Sequence, residues 1–250
     1  MAGNTKRESR ILDYLRVDSE ITVSELSRLL EVSVVTVRND LRSLEEQGMV
    51  IRSHGGAIPA FHPDMLQKKS SHLQEKERIA AAAAALVSDG DRIMITNGTT
   101  SALVGKYLLG KRDLQIVTNS TLLLPYARVN PNMTLTFIGG EFRPSAEAMV
   151  GPEAIKRLDQ FHVSMTISGT DGFTDEYGMT THLVENAEIV RKMCEQAEKR
   201  VVVVDSSKYG RKGFIKILPI EEIDIIITDS NLPDEAAELL REQGVEVMLV

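Results

Sequence analysis

A glycine and two hydroxyl side chains follow an apolar run in the second half of the chain. The run Arg92–Thr96 leads into Asn97, Gly98, Thr99 and Thr100, and a helical pattern begins there. Small and hydroxyl residues at a helix start favour anion binding, because backbone N–H groups and the helix dipole point at the ligand. The stretch matches neither G-x-x-x-x-G-K-[ST] nor G-x-G-x-x-G. An ordinary helix cap explains the same residues equally well, so this stretch alone decides nothing.

Polar residues also follow the other apolar runs of this part of the chain. They are Thr118 and Asn119, Gly139, Gly140 and Arg143, Gly169 and Asp171, and Lys208. Arg143 and Lys208 suit phosphate, whereas Asp171 and Asn119 suit sugar hydroxyls. Each has a plain alternative: an ion pair for Arg143, a solvated loop for Lys208 and a turn for Asp171. Their shared position after strands favours a site for a polar, phosphorylated small molecule.

The elements that would position these residues alternate between short apolar runs and helical patterns. The predicted strands are Arg92–Thr96, Leu114–Thr118, Thr134–Ile138, Val163–Ser168, Val201–Val204, Ile225–Thr228 and Val245–Val250. The predicted helices between them are Ser101–Leu109, Leu122–Val129, Pro152–Leu158, Leu183–Glu198 and Pro233–Gln243. This alternation predicts a doubly wound, largely parallel α/β domain, whose ligand site lies beyond the carboxyl ends of the strands.

A second set of polar residues belongs to a helix-turn-helix pattern near the N-terminus. Thr22 and Glu25 form a capping box, and Ser33 caps a second helix whose Val34, Val37, Leu41 and Leu44 should face inward. A strand at Met49–Ser53 and a turn at Gly55–Gly56 complete a wing. The residues predicted to contact DNA are Thr22, Ser33, Val35, Thr36, Arg38, Asn39, Arg42, Arg52, His54 and Gly55. A helical hairpin with a solvated charged face is the plain alternative, but caps, turn and wing together favour double-stranded DNA as partner.

The predicted domains are a winged helix-turn-helix over residues 1–58, a linker over 59–76 and an α/β domain over 77–250. A first helix over Thr5–Val17 should pack Ile11, Leu12 and Leu15 inward. The linker is polar, contains two prolines and lacks a sustained apolar period.

The charge balance requires that DNA affinity come from the placement of cations rather than from their excess. Residues 1–58 hold eight Lys and Arg against nine acids, a balance of 8 − 9 = −1 in a chain of net charge −7. The residues that must share the DNA-facing surface are Lys6, Arg7, Arg10, Arg38, Arg42 and Arg52. Because a paired operator is then needed for affinity, we expect a homodimer or homotetramer.

Composition places the chain in the cytoplasm, associated with the nucleoid through DNA. No apolar run approaches the roughly 20 residues of a membrane span, and no secretory leader is recognisable. Cys194 is the only cysteine, so an intramolecular disulfide is impossible. No cofactor is predicted, and the histidine spacing fits no metal site.

The sequence resembles the DeoR family of transcriptional regulators over nearly its whole length. The first segment carries the resemblance through Ser33–Leu41, Leu44-Glu45, Gly48 and Arg52–Ala57. The second does so through Gly98–Thr100, Thr118-Asn119, Gly139-Gly140 with Arg143, Gly169 with Asp171, and Asp205–Lys208. The resemblance implies a sensor domain similar in fold to ribose-5-phosphate isomerase. It also implies a repressor of a sugar-catabolic operon that a phosphorylated sugar releases from DNA.

Two positions depart from the family pattern. The family usually has an acid-led D-S-G-T-T loop where this chain has Thr96–Thr100, and Glu-Ala where it has Asn186-Ala187. Two carboxylates that would contact sugar hydroxyls are therefore neutral. Glu185, one position earlier, is a candidate substitute for the second.

Two other functions stay open at this level. A sugar-phosphate isomerase with a regulatory N-terminus could use Asp171 as base and Lys208 as electrophile, but an isomerase needs a suitably placed carboxylate and the acids are missing at Thr96 and Asn186. An activator or dual regulator has the same sequence features as a repressor, since the position of the operator decides whether binding raises or lowers transcription.

Overall fold

The structure is a computed structural model that describes residues 2–53 and 55–250, without the side chains of residues 2–5. It divides into two compact units, Met1–Ser71 and His72–Val250. Among the residues described, no helix combines the length and the apolar character that crossing a bilayer requires.

The first unit consists of helices followed by a hairpin and a last helix. Its elements are α1 (Ala2–Val17), α2 (Val23–Leu30), α3 (Val34–Glu46), β1 (Val50–Ser53), β2 (Gly56–Pro59) and α4 (Pro63–Ser70). The predicted capping box of Thr22 and Glu25 opens α2, and the hydroxyl of Ser33 accepts the backbone N–H of Thr36 at the start of α3. After α3 the chain turns at Gly48, whose φ of +66° suits glycine. The winged helix-turn-helix expected from the sequence is confirmed.

The core of the first unit joins the helices to the hairpin. Its fully buried side chains include Ile11, Leu26, Val37 and Leu41. Leu12, Leu15 and Leu44 are also buried, as the helical spacing predicts. Val34 is only partly buried at the edge of this core. Leu29 of α2 is 40% exposed, whereas Leu26 and Leu30 of the same helix are buried.

The segment 59–76 is more ordered than its composition indicated. Residues 63–70 form α4, which begins at a proline and has His62 at its N-cap. Met65 and Leu66 of this helix are buried. The lack of a sustained apolar period did not indicate this helix, whose Leu66 belongs to the core of the first unit. Its role as a linker stays a prediction.

The second unit, residues 72–250, is described completely. Its helices are α5 (Leu73–Ala85), α6 (Thr99–Tyr107), α7 (Leu124–Val129), α8 (Pro152–Leu158), α9 (Val184–Glu195) and α10 (Asp234–Glu242). Its strands are β3 (Arg92–Ile95), β4 (Leu114–Thr118), β5 (Met133–Phe137), β6 (Glu141–Arg143), β7 (Ala148–Val150), β8 (Val163–Ser168), β9 (Gly172–Thr174), β10 (Gly178–Thr181), β11 (Ala197–Val203), β12 (Ile215–Lys216), β13 (Ile225–Thr228) and β14 (Glu246–Leu249).

Seven of these strands form one parallel sheet in the order β14-β13-β11-β8-β3-β4-β5. The chain runs outward from β3 through β4 to β5, and then outward on the other side from β8 to β14. The strand order therefore reverses between β3 and β8. In open α/β sheets such a reversal leaves a crevice beyond the carboxyl ends, where ligands bind. The predicted doubly wound domain is confirmed.

Two small sheets were not anticipated from the sequence. Strands β6 and β7 pair as an antiparallel hairpin, and β12, β10 and β9 form an antiparallel three-stranded sheet. The hairpin lies beside the carboxyl end of β4, where Ser120 pairs with Ala148 and the Met149 N–H donates to the Asn119 carbonyl. These strands have two to four residues, too few for an alternating pattern to show.

Candidate functional sites

The outward side of α3 carries the residues expected to read DNA. We call Val35, Thr36, Arg38, Asn39 and Arg42 the outer face of α3. Arg38, Asn39 and Arg42 are exposed, and Val35 is 64% exposed. Within the described part of the chain, neither arginine has an ion-pair partner. Arg38, Asn39 and Arg42 therefore present cationic and amide donors to solvent, as contacts with base edges and phosphates require.

Three hydroxyls expected at the DNA are engaged in helix capping. Thr22 donates to Glu25 Oε2 at 2.7 Å and accepts the Glu25 N–H at 3.2 Å. The hydroxyls of Ser33 and Thr36 lie 2.9 Å apart, and Ser33 also accepts the Thr36 N–H. These side chains fix where α2 and α3 begin. Any contact they make with DNA is added to this structural role.

The wing places Arg52 on the exposed side of β1. Gly55 turns the hairpin with a φ of +90°, and its carbonyl accepts the Val23 N–H at 3.0 Å. This bond ties the wing to the start of α2. His54 lies outside the described residues.

Arg7, one of the cations expected on the DNA-facing surface, is engaged in an ion pair with Asp40. Its guanidinium binds Asp40 through Nε and through Nη2, the latter at 2.7 Å from Oδ1. Asp40 is 2% exposed and lies on the inner side of α3, beside Val37 and Leu41. A carboxylate buried there requires a cation, so α1 supplies one. The sequence did not indicate this pair, because side-chain partners 33 residues apart are not visible in a local pattern, and a place for Arg7 on the DNA-facing surface stays a prediction.

The loop after β3 leaves the first turn of α6 open. Gly98 precedes the helix with a φ of +140° and provides no side-chain cap. The first backbone N–H groups of any helix lack carbonyl partners within it. Thr99 is partly exposed there and Thr100 is buried. The Ser101 hydroxyl is turned inward and donates to the Thr96 carbonyl at 2.9 Å. The open N–H groups lie at the carboxyl end of β3, where the strand order reverses.

Two buried amides join the ends of β3 and β4. The Asn97 N–H donates to Asn119 Oδ1 at 2.8 Å, and Asn119 Nδ2 donates to Asn97 Oδ1 at 3.1 Å. Asn119 also donates to the Met149 carbonyl at 3.3 Å, which connects the β6–β7 hairpin. The Thr118 hydroxyl donates to the Ile95 carbonyl at 2.7 Å. These residues lie together at the strand ends, but most of their hydrogen bonds are to one another rather than open to a ligand.

The β8 end lies against the β3 end. A Cβ on Gly98 would lie 3.9 Å from the Gly169 Cα, an ordinary van der Waals distance, so the two loops are neighbours. Two residues later, Asp171 accepts the Thr181 hydroxyl at 2.8 Å and the His182 N–H at 3.4 Å. Thr181 was not predicted, since β10 carries too short a pattern to place it.

Arg143 and Glu185 contact each other. Arg143 ends β6, and its Nη2 lies 2.9 Å from Glu185 Oε1 in the first turn of α9. A second carboxylate, Glu141, lies 3.6 Å away. The position before this strand requires a glycine, because a Cβ at Gly140 would lie 2.5 Å from the Val150 carbonyl oxygen. A Cβ at Gly139 would meet no atom within 4 Å.

Lys208 ends a short 3-10 turn, Ser206–Lys208, that follows β11. No carboxylate lies within ion-pair distance of its amine in residues 72–250. Asp229, at the end of β13, holds this turn by accepting the Ser206 N–H at 2.7 Å and the Ser206 hydroxyl at 2.9 Å. Burial raises the pKa of Asp229, but hydrogen bonds from Ser206 and Asn231 outweigh it, and the net pKa is below the ordinary value.

Asp229 is a positioning residue that sequence reasoning missed. Polar residues that directly follow the other predicted strands are candidates on that ground. Asp229 directly follows the predicted strand Ile225–Thr228 and would have been selected in the same way. By contrast, Cys194 is buried on α9, and burial raises the pKa of its thiol to about 12. It is no candidate nucleophile.

The comparisons with known proteins cover both units. The model of the "DeoR-like helix-turn-helix domain" matches residues 7–60, and that of the "DeoR C terminal sensor domain" matches residues 71–230. A relative from Escherichia coli O157:H7, provisionally named aga operon transcriptional repressor, is 34% identical over 100% of this chain and 95% of its own length. The "HTH-type transcriptional repressor GlcR" of Bacillus subtilis (strain 168) is 35% identical over 96% of this chain and 93% of its own.

Among solved structures, ribose 5 phosphate isomerase A from Neisseria gonorrhoeae matches at a TM-score of 0.37 and 19% identity. The match covers 54% of this chain and 52% of the isomerase. We draw no conclusion from a likeness at this level. The two family models and the full-length relatives suffice: the chain belongs to the DeoR family of transcriptional regulators.

Proposed function

We propose that this protein represses a carbohydrate-catabolic operon and that a phosphorylated sugar controls its binding to DNA. The observation that carries the proposal is the open first turn of α6 at the reversal of strand order. It would offer backbone N–H groups to an anion next to the paired amides of Asn97 and Asn119, and Lys208 follows a strand of the same parallel sheet. Both relatives are named as repressors, which supports repression rather than activation.

On DNA, the outer face of α3 would enter the major groove of a double-stranded operator. Arg38 and Asn39 would read base edges or phosphates, while Arg52 at the wing would grip the backbone. The near-neutral charge of this segment makes one copy a weak binder. We therefore infer a homodimer or homotetramer on a paired site, working in the cytoplasm at the nucleoid.

In the sensor domain, the effector's phosphate would lie at the N–H groups of Thr99 and Thr100, with Lys208 and Arg143 as cations. Asn97, Asn119 and Asp171 would contact sugar hydroxyls, although each already forms hydrogen bonds within the protein. Thr96 and Asn186 are neutral where the family usually has acids. The identity of the sugar is therefore left to the ligand screen.

Control of DNA binding would be a linkage between two arrangements of the oligomer. The effector can shift their equilibrium only by the difference in its affinity for the two. Binding in the sensor domain would stabilise the arrangement in which paired α3 helices no longer match the operator.

The isomerase alternative has little support from the site. Asp171 already accepts hydrogen bonds from Thr181 and His182. A general base must instead be positioned at the substrate proton. We therefore propose a regulator without catalytic activity and without a cofactor.

Two measurements test the proposal. In-vitro selection from random duplex DNA should yield a recurring, symmetric site. A thermal-shift screen should find a phosphorylated sugar that stabilises the protein while its unphosphorylated counterpart does not. Turnover of a pentose or hexose phosphate, or failure of every sugar phosphate to bind, would contradict the proposal.

A further inference from the structure

Both partners of the Arg143–Glu185 ion pair were expected to contact the effector, yet they contact each other. The guanidinium and carboxylate are 2.9 Å apart, with side chains 45% and 39% exposed. An ion pair this exposed is weak, typically below about 1 kcal/mol. Glu185 is therefore a carboxylate that a ligand can replace at Arg143, where the more exposed Glu141 also lies 3.6 Å away.

The two residues reach this contact from different elements. Arg143 ends β6 of a hairpin that is fixed at its other strand, where the Met149 N–H donates to the Asn119 carbonyl. Glu185 lies in the first turn of α9, 42 residues further along the chain. The β6–β7 hairpin thus holds the guanidinium, and α9 holds the carboxylate. Either side chain can change partner without unfolding its own element.

Glu185 has a second stabilising partner. Its pKa is lowered first by its own backbone N–H at the start of α9, and the charge of Arg143 adds to the effect. A carboxylate at a helix N-terminus is stabilised by the open N–H groups and the helix dipole. Glu185 therefore keeps a favourable environment after losing Arg143.

From this geometry we propose that Glu185 is an internal competitor for the anionic group of the effector at Arg143, rather than a residue that binds the sugar. The effector's phosphate displaces the carboxylate and takes its place on the guanidinium. Glu185 thereby excludes ligands whose hydroxyls alone cannot displace it. This inference rests on the proposed function and specifies how the site selects phosphorylated over unphosphorylated sugars.

The test compares inorganic phosphate affinity among variants of the full chain at constant ionic strength, by isothermal titration or thermal shift. Because Glu185→Gln removes the competing charge, it should tighten phosphate binding about 2- to 5-fold. Glu188→Gln, an exposed neighbour on α9, is the matched control and should leave the affinity unchanged. In the Arg143→Gln background, Glu185→Gln should have no effect.

Each result decides a different point. Weaker or unchanged binding in Glu185→Gln, with wild-type phosphate affinity intact, overturns the competitor role but leaves the proposed function standing. A gain that persists without Arg143 also overturns it, since the carboxylate would then act through general charge alone. If phosphate binds neither the wild type nor any variant, the proposed phosphate site and the competitor role of Glu185 are both wrong.

Discussion

The polar groups on the outer face of α3 differ in their partners from those that follow the strands of the second unit. On α3, Arg38 and Arg42 are exposed and lack ion-pair partners in the described chain. At the strand ends, Arg143 is paired with Glu185, and Asn97 with Asn119. The arginines of α3 can meet DNA without giving up an ion pair, whereas a ligand that binds Arg143 must replace Glu185. Such an exchange makes affinity depend on which state of the site is present, as a sensor requires.

Arg7 differs from Arg38 and Arg42, because it belongs to the same unit but forms an ion pair with the buried Asp40. Arg7→Ala leaves the buried Asp40 carboxylate without its partner, which should cost about 3 kcal/mol of unfolding free energy. Urea unfolding measures this loss. Arg16→Ala, which removes an exposed partner of Asp13, is the control and should cost less than about 0.5 kcal/mol. Equal losses for the two variants would mean that the Asp40 pair is not structural.

Arg38 tests the surface without internal partners. Arg38→Ala should lower affinity for the selected duplex about 10- to 100-fold, roughly 1–3 kcal/mol, with little change in stability. Fluorescence anisotropy at several salt concentrations measures both the affinity and its salt slope. Arg16→Ala serves again as a control that keeps full affinity. If Arg38→Ala binds the duplex as well as wild type does, the outer face of α3 is not the reading surface.

Gly98 tests whether the anion site depends on its backbone conformation. Gly98→Ala places a Cβ 2.8 Å from the Ser101 Oγ at a φ of +140°. This strain should cost about 1–3 kcal/mol of stability and should abolish stabilisation by a phosphorylated sugar. Thermal unfolding with and without the ligand measures both effects. Gly139→Ala meets no atom within 4 Å and should change stability little. A fully stable and responsive Gly98→Ala would exclude the α6 site.

Asp229 tests the support of Lys208. Asp229→Asn replaces an acceptor of the Ser206 N–H with an amide and should cost about 1–2 kcal/mol at neutral pH. Because the folded pKa of Asp229 is lowered, its stabilisation is present above the unfolded value of about 3.9 and is lost as pH falls through the folded value. The difference between variant and wild type should therefore shrink below about pH 4 in unfolding experiments. Glu238→Gln, exposed on α10, is the control, and a difference that does not change with pH would contradict this role.

The sequence predicts the frame of both sites because the relevant signals are local. The strands Leu114–Thr118, Val163–Ser168 and Ile225–Thr228 coincide with the structure. Since all belong to one parallel sheet, residues after them must share an edge, which is how Asn119 and Asp171 could be selected. The caps at Thr22 and Ser33 fix α2 and α3 in the same local way.

What the sequence could not predict is which polar groups bond to one another. Arg7 with Asp40, Asn97 with Asn119 and Arg143 with Glu185 are separated by 33, 22 and 42 residues. These pairs depend on how separate elements pack, and no spacing rule encodes them. The same holds for Thr181, which reaches Asp171 only through the pairing of short strands.

The most direct test of the account is the affinity for operator DNA with and without the effector. With the duplex from selection and the sugar phosphate from the thermal-shift screen, saturating effector should weaken DNA binding about 5- to 150-fold, the usual range of allosteric coupling. Lys208→Ala should bind DNA as wild type does yet lose this response. If DNA affinity is the same at every effector concentration, the two surfaces are not coupled and the central claim is wrong.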